Sequence, residues 1–354
     1  MAGKTTRGTI PIVNIVCYSY KGGSGRSTAT VNIAFELARQ GKLVACLDMD
    51  IGAPGLHMIM GDWNTDAKHK IERNAGEVGH QCFLNEPAPG SEAFERLEPA
   101  MLDVRKCVPT ALEGIGGGDL ACAEGALQFL FSSTRQRTLH DLAKDQGEVR
   151  RFVEKYSLLQ EMLAAAVGGR KDREVYLLVD APNGITPVSL PLLQRADLVL
   201  MFYRHSLQHV EGTIEAGRKL IHYLTDEMDR RYLKVLLVGS CVPEPLIETL
   251  LAAREQVTDG YARDMLDRFV KIRDSLTSFQ NRYHGAIRKL SEDIVEDQIL
   301  KVLEQPLTAQ LADDLPGFAD TSAVTLNKVK AIVHDIVRYG NEVVRLKGLA
   351  AGSR

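Results

Sequence analysis

The stretch "SYKGGSGRST", residues 19–28, decides the fold assignment. It follows an apolar, β-branched run at 10–20 and leads into a segment with helical spacing at 26–41. A glycine-rich loop between a strand and a helix points backbone N–H groups at one spot, beside the positive end of the helix dipole. Glycines let the loop curl around a phosphate because no Cβ stands in the way. The stretch therefore predicts a phosphate-binding loop; the alternative is a glycine turn without a ligand.

The loop departs from the P-loop consensus G-x-x-x-x-G-K-[ST] at two positions. Tyr20 stands at the first glycine and Arg26 at the lysine. Arginine is planar, permanently charged and carries a fork of donors, so we expect Arg26 to hold phosphate charge in a different position, which leaves the hydrolysis rate open. Ser27 is predicted to bind Mg²⁺ and Thr28 an inner phosphate. The residues predicted to bind nucleotide in this loop are Gly22, Gly23, Ser24, Gly25, Arg26, Ser27 and Thr28.

Apolar runs separated by helical stretches indicate the fold class. Near-continuous apolar strands alternating with helices are typical of an α/β fold with a mostly parallel β-sheet covered by helices on both faces. After the first strand, the predicted strands are 42–50, 175–180, 197–204 and 233–240, with weaker candidates at 119–125 and 298–305, and one of the helices is 208–224.

The chain is interpreted as one domain with two insertions. The domain is predicted to span 10–346, between flexible termini at 1–9 and 347–354. Residues 57–118 are rich in turn signals, and residues 245–296 have helical spacing, so both are predicted to be insertions on one core.

Asp180 ends the predicted strand 175–180, at the same sheet edge as the loop. An NTPase needs an acid near Mg²⁺, so Asp180 is predicted to hold the metal. The alternative is an aspartate that only caps the following turn.

The segment "YKGGSGRST" resembles the deviant Walker A motif x-K-G-G-x-G-K-[ST] of the ParA/MinD ATPases. It is most similar to a branch with K-G-G-x-G-R, which also carries "APGL" after the second strand, as in "DMDIGAPGL" at 48–56. The resemblance is strong over 10–56, good around 175–212 and weak elsewhere.

The resemblance implies roles for residues outside the loop core. Lys21 would reach the nucleotide of a partner subunit, as a catalytic residue, and Asp50 would orient the attacking water. Asp48 would support the Mg²⁺ shell, and the Gly184 N–H, in the switch II-like "DAPNGIT", would approach the γ-phosphate. A solvated Lys21 and a loop-capping role for Asp48 or Asp50 are alternatives.

The implied cofactors are ATP and Mg²⁺, and the implied assembly is a homodimer when ATP is bound. The adenine pocket would follow strand 233–240, where Gly239, Ser240 and Cys241 leave base identity open. The first hypothesis is an ATPase switch with slow hydrolysis that recruits an unidentified protein partner. The second is a nucleotide-bound scaffold whose Arg26 has cost it turnover. A protein-tyrosine phosphotransferase is disfavoured because the C-terminus, "GLAAGSR", has no tyrosines.

Composition narrows the range of partners. The net charge of -3 excludes a strong general attraction to nucleic acid or anionic membrane. Basic and aromatic residues at 263–290 are interspersed with acids, so non-specific DNA binding is disfavoured. The amphipathic segment 326–346 lacks Trp and Phe, so it is expected to pack against the sheet rather than on a membrane.

The cysteines and the N-terminus predict a cytoplasmic protein. The six cysteines contain no C-x-x-C pair and read as reduced, mostly buried thiols. The polar N-terminus lacks an apolar segment of the secretory kind. His205 and His209 have no metal-type partner at useful spacing, and Ser206 or Gln208 is expected to cap the helix that follows them.

Overall fold

A computed structural model of the chain describes the core of the fold and parts of the surrounding segments. The described residues are 10–50, 53–56, 59, 102–103, 126–130, 156–157, 159–168, 172–204, 206–226, 234–240, 258, 260–282 and 323–352. The predicted strands at 119–125 and 298–305, the N-terminal 1–9, most of the predicted insertion 57–118, and His205 and Cys241 lie outside them.

Seven strands and five helices have bounds in the described residues. The strands are β1 (Ile12–Ser19), β2 (Leu43–Asp48), β3 (Leu102–Asp103), β4 (Ala126–Leu130), β5 (Val175–Asp180), β6 (Leu198–Tyr203) and β7 (Lys234–Gly239). The helices are α1 (Arg26–Arg39), α2 (Ser189–Gln194), α3 (Leu207–Asp226), α4 (Gly260–Arg282) and α5 (Ala323–Gly352).

The strands form one sheet in the order β3-β4-β2-β5-β1-β6-β7. Every neighbouring pair is parallel except β3 with β4. The chain runs from β1 to β2 in one direction across the sheet and from β5 to β6 in the other, so right-handed connections put α1 and α2 on opposite faces. The predicted mostly parallel sheet with helices on both faces is confirmed.

The sheet register brings the acidic strand ends together. β5 lies between β1 and β2, and Asp48 at the end of β2 is directly opposite Asp180 at the end of β5. All residues of β2 and β5 are buried, as their apolar sequences require. The loop between β1 and α1 therefore lies at the same edge as these two carboxylates.

The C-terminal helix packs on the fold, as its apolar stripe predicts. Its buried apolar residues are Val329, Ile332, Val333, Ile336, Tyr339 and Val343, and α5 packs against α1 and β1. The helix extends through Gly352, into the segment 347–354 that the sequence predicts to be a flexible terminus. Lys347 anchors this part of the helix to the sheet, because its Nζ donates to Asp197 Oδ2 at 2.7 Å and to the Ile12 carbonyl at 2.8 Å.

One further difference concerns the position of a strand. The strand β4 at 126–130 was not predicted; the apolar run placed a strand seven residues earlier, on 119–125. Within the predicted helical segment 245–296, residues 260–282 are helical as expected.

No helix in the described parts of the chain is both long and apolar enough to cross a lipid bilayer.

Candidate nucleotide site

The loop between β1 and α1 has a backbone that only glycine adopts readily. Gly23 and Gly25 have φ values of 75° and 70°, in the left-handed region. Gly25 is also the N-cap of α1 and provides no side-chain hydrogen bond to the helix. The first N–H groups of a helix have no partner within the helix. The loop thus has a geometry that suits an anion at the N-terminus of α1, and phosphate binding by its residues stays a prediction.

The Ser24 hydroxyl marks a polar position in this loop. Ser24 is 1% exposed, and its Oγ has no hydrogen-bond partner among the described residues. A buried hydroxyl without a partner is unfavourable by about 1–3 kcal/mol. A phosphate oxygen bound in the loop would accept this hydrogen bond, so the residues present fit a nucleotide phosphate.

The Arg26 guanidinium is hydrogen-bonded to side chains of its own chain and does not point into the loop as a free charge. Its guanidinium donates from Nε to Asp180 Oδ1 and from Nη2 to Asp50 Oδ2, the latter at 2.7 Å. Nη1 donates to Asn183 Oδ1 at 2.7 Å. Burial lowers the pKa of Arg26, but Asp180 and Asp50 outweigh it and raise that pKa, so the guanidinium stays charged. The predicted phosphate ligand therefore contacts carboxylates in this structure.

Asp180 keeps one oxygen for a further contact. Its side chain is fully buried, and while Oδ1 accepts from Arg26, Oδ2 has no hydrogen-bond partner among the described residues. Carboxylate oxygens are preferred Mg²⁺ ligands, so the free oxygen fits the predicted metal role. Ser27, another predicted ligand, is the second residue of α1 and lies against the turn at 53–56, since a Cβ on Gly55 would be 3.7 Å from its Oγ.

Asp48 organises the turn after β2. Its Oδ1 accepts the N–H of Asp50 at 3.1 Å, and its Oδ2 accepts the N–H of Leu56 at 3.3 Å. Burial, followed by the charge of Asp180, raises the pKa of Asp48 well above its usual range. Both oxygens are engaged by backbone amides, which is the geometry of the loop-capping alternative and places Asp50 next to Arg26.

Lys21 is held by a residue of its own chain. Its exposed Nζ donates to Gln208 Oε1 at 3.1 Å. The sequence assigned Gln208 to a helix cap, and its observed contact with Lys21 was missed. An open pocket of about 520 Å³ lies beside this pair and is also lined by Tyr20, Glu211 and Gly212, among others.

Asn183 is a site residue that sequence reasoning did not identify. Its Oδ1 accepts from the Ser19 hydroxyl at 2.8 Å and from Arg26. Its neighbour Gly184 has φ 72° and donates its N–H to the Ser19 carbonyl at 3.0 Å. The switch II-like segment thus closes onto the start of the loop, and the Gly184 N–H predicted to meet a γ-phosphate is bonded to Ser19. The only available signal was the position of Asn183, three residues after Asp180.

The two described cysteines are buried, as the sequence predicts. Cys17 and Cys46 are fully buried; burial raises the pKa of Cys17 to about 12 and that of Cys46 well above its usual range. Within the residues that the structure describes, no group of three or more His, Cys, Asp and Glu side chains is arranged to hold a metal ion.

Comparison with known proteins finds sequence similarity over parts of the chain. The family model for "ParA: NUBPL iron-transfer P-loop NTPase" matches residues 12–77. The cytosolic Fe–S cluster assembly factor cfd1 of Emericella nidulans is 28% identical over 182 residues, 51% of this chain and 48% of that protein. The chain thus spans about half the length of this curated relative. The septum site-determining protein MinD of Helicobacter pylori is 54% identical over 43 residues, 12% of this chain and 16% of that protein.

Structural similarity extends over most of the chain. The structure of pNOB8 ParA bound to nonspecific DNA has a TM-score of 0.52 and 15% identity, and covers 94% of this chain and 99% of that chain. At this identity the likeness shows the fold. The sequence match at residues 12–77 and the structural match therefore both involve ParA-type proteins.

Proposed function

Because the chain is a ParA/MinD-like P-loop protein, we propose that it binds ATP with Mg²⁺ and acts as a nucleotide-dependent switch that dimerises and recruits a partner protein. The observation that carries the proposal is the buried Ser24 hydroxyl without a partner, inside a glycine loop that opens onto the N-terminus of α1. Helix N-termini with free amides favour phosphate.

Different residues of the site bind the phosphates and the Mg²⁺ of ATP·Mg²⁺. The amides of residues 22–28 and the Ser24 hydroxyl hold phosphate oxygens, and Thr28 meets an inner phosphate. Ser27 and the free oxygen of Asp180 hold Mg²⁺, which neutralises phosphate charge when bound. Asp48 supports this site by ordering the turn that carries Asp50.

The proposed hydrolytic role belongs to Asp50. Its carboxylate is only 8% exposed and is paired with Arg26. A carboxylate that orients water must have an oxygen directed at that water, so Asp50 has to exchange at least part of its contact with Arg26 for the attacking water. Hydrolysis is therefore slow in this proposal.

The proposed dimer uses Lys21. Its Nζ lies on the exposed surface beside α3 and is held only by a neutral side chain, Gln208, among the contacts that the structure describes. Exchange of this weak contact for the phosphates of a second subunit's ATP is favourable, because a charge-assisted bond to phosphate is stronger than a bond to an amide.

DNA and membranes are not the partners that we propose. The described part of α4 exposes acids, Asp264, Asp267 and Asp274, beside Arg263 and Lys271. Lys271 also forms an ion pair with Glu211 of α3. Mixed charge of this kind gives little attraction to phosphate backbones. A protein partner in the cytoplasm is consistent with the free, buried thiols of Cys17 and Cys46.

Iron–sulfur transfer is a function named for some relatives, but the thiols of this chain do not support it. Cysteine thiolates hold such clusters. The six cysteines of the chain include no C-x-x-C pair, and the raised pKa values of Cys17 and Cys46 keep both as neutral thiols. The nucleotide switch is the better-supported function.

One observation favours a second candidate, a nucleotide-bound scaffold without turnover. Arg26, at the position of the P-loop lysine, is engaged with Asp50 and Asp180. If these ion pairs persist with nucleotide, the arginine cannot neutralise charge on the transferred phosphate.

Single-turnover hydrolysis of ATP by the purified chain separates the two candidates. The switch predicts slow phosphate release by the wild type, and a variant Asp50→Asn that still binds ATP but releases none. A matched exposed change, Glu215→Gln, should leave release unchanged, since Glu215 is 53% exposed. Absence of release by the wild type, with and without cell extract as a source of partners, would favour the scaffold.

A further inference from the structure

The Arg26 guanidinium is almost fully used by its own chain. A guanidinium has five N–H donors. Nε donates to Asp180 and Nη2 to Asp50, and Nη1 donates to both Asn183 and, at 3.4 Å, the Ser19 hydroxyl. At most one N–H remains for a phosphate, and the side chain is only 5% exposed.

The same contacts take up the carboxylates that a cation would need. Asp48 has both oxygens on backbone amides. Asp50 and Asp180 each give one oxygen to Arg26, and of their other oxygens Asp180 Oδ2 is buried and has no hydrogen-bond partner among the described residues. A divalent cation placed there would lie near a fixed positive charge in a buried environment, where repulsion is stronger than in water.

We propose that Arg26 is a built-in plug of the cation site: its guanidinium bridges Asp50 and Asp180 in the nucleotide-free chain and excludes a divalent cation until nucleotide phosphates draw it away. The cation site is the one in the proposed function, and the inference rests on it. Binding is then ordered, because Mg²⁺ enters with or after the nucleotide and not before it.

The shape of arginine suits this role better than that of lysine. The planar fork reaches two carboxylates from different nitrogens, and a lysine ammonium is a compact single charge on a different stem. Asn183 and Ser19 accept hydrogen bonds from Nη1, the third guanidinium nitrogen, and so orient the guanidinium between the two acids. Arginine in place of the consensus lysine at position 26 therefore lets one side chain bridge both acids and exclude the cation.

The test measures Mn²⁺, as a paramagnetic substitute for Mg²⁺, binding to the nucleotide-free chain by electron paramagnetic resonance. The wild type should show no stoichiometric site. Arg26→Gln removes the positive charge and should bind one Mn²⁺ at least about tenfold more tightly than the wild type, a change of about 1.4 kcal/mol. Arg26→Lys should bind Mn²⁺ with intermediate affinity because its charge is not spread over both acids.

A matched control removes another cation from a buried carboxylate. Lys347 pairs with Asp197, a buried acid that also accepts the N–H of Asn14, at 2.7 Å and 2.8 Å respectively. Lys347→Gln should gain no Mn²⁺ site. An equal gain in this variant would overturn the proposal, because it would show a general response to lost positive charge.

Folding and nucleotide binding are scored separately. The melting temperature of Arg26→Gln should rise with Mn²⁺ while that of the wild type does not; if Arg26→Gln fails to fold, Mn²⁺ uptake by Arg26→Lys decides the question. Tight Mn²⁺ binding by the nucleotide-free wild type, or no uptake by either variant, would overturn the plug. Wild type that excludes Mn²⁺ yet also fails to bind ATP would instead refute the proposed function.

Discussion

Arg26 and Asp50 form an ion pair of 2.7 Å in which the two side chains are only 5% and 8% exposed. The same guanidinium also pairs with the fully buried Asp180. One guanidinium thus bridges two carboxylates, that of Asp180 at the end of β5 and that of Asp50 just after the end of β2. Because these are the acids proposed for water and metal, the stability of the fold and the chemistry of the site depend on one side chain.

Removal of Arg26 should destabilise the chain strongly. Arg26→Ala leaves Asp50 and Asp180 buried without their cation, and loss of one partner from a buried pair costs about 3–5 kcal/mol. Urea unfolding of the nucleotide-free protein measures this loss. The exposed pair Lys219–Glu215 provides the control, since Lys219→Ala should cost no more than about 1 kcal/mol. Equal losses in the two variants would show that the buried network contributes little.

Gly212 on α3 should not tolerate a side chain. A Cβ at this position would lie 1.8 Å from the ring of Tyr20, the residue before Lys21 in the loop. Alanine in a helix interior is otherwise favourable by about 1 kcal/mol relative to glycine, but overpacking of this kind costs about 1–3 kcal/mol. Gly212→Ala should therefore lower the free energy of unfolding and weaken ATP binding, as measured by denaturation and calorimetry.

Two further variants test the cause of the Gly212 effect. The double variant Gly212→Ala with Tyr20→Ala should recover most of the lost stability, because the clashing ring is gone. Gly260→Ala should be nearly neutral, since a Cβ at Gly260 meets no atom within 4 Å. If Gly212→Ala is as harmless as Gly260→Ala, the packing of the loop on α3 is not as described.

Lys21 should act between subunits and not within one. Because its Nζ contacts only the exposed Gln208 in the described structure, Lys21→Ala should change the unfolding free energy little. We expect it to abolish the ATP-dependent dimer, measured by light scattering with saturating ATP and Mg²⁺. Gln208→Ala should keep the dimer, since it releases Lys21 without removing its charge. A Lys21→Ala chain that still dimerises with ATP would contradict the proposed contact.

His209 should make stability depend on pH. Its side chain is 7% exposed, and burial, with the nearby charges of Arg204 and Lys21, lowers the pKa of His209. The unfolded chain takes up this proton near pH about 6.5 while the folded chain resists it. The contribution of neutral His209 to the free energy of unfolding is therefore complete above the unfolded-chain pKa of about 6.5. It is lost as the pH falls through the lowered pKa of His209 in the folded chain.

Urea unfolding at about pH 7.5 and about pH 5.5 tests this dependence. The wild type should lose more stability on acidification than His209→Gln. The exposed His334, whose side chain is 79% exposed, provides a control, because His334→Gln should keep the wild-type loss. Identical losses in wild type and His209→Gln would exclude His209 as the source.

The sequence predicted the parts of the site that local pattern specifies. The glycine loop, the strand that ends at Asp180 and the alternation of apolar strands with helices each follow from neighbouring residues. Boundaries set by distant contacts were missed. Helix α5 continues to Gly352, and Lys347 within it bonds to Asp197, 150 residues away in the sequence.

The orientation of Arg26 was beyond local pattern for the same reason. Its partners come from two distant places in the chain, Asp50 after β2 and Asp180 and Asn183 at the end of β5, and their meeting depends on β5 lying between β1 and β2. Asn183 has an ordinary sequence signal, a polar residue in a turn, and only the folded register makes it an acceptor for the guanidinium.

Calorimetric titration of the purified chain with ATP and Mg²⁺ measures whether the loop at residues 19–28 binds a nucleotide phosphate chain. We expect one ATP bound per chain, much weaker binding of adenosine, and loss of ATP binding in Gly25→Val, since valine does not readily adopt the φ of 70° found there. A wild-type chain that is folded by circular dichroism and takes up no ATP in the presence of Mg²⁺ would contradict this expectation.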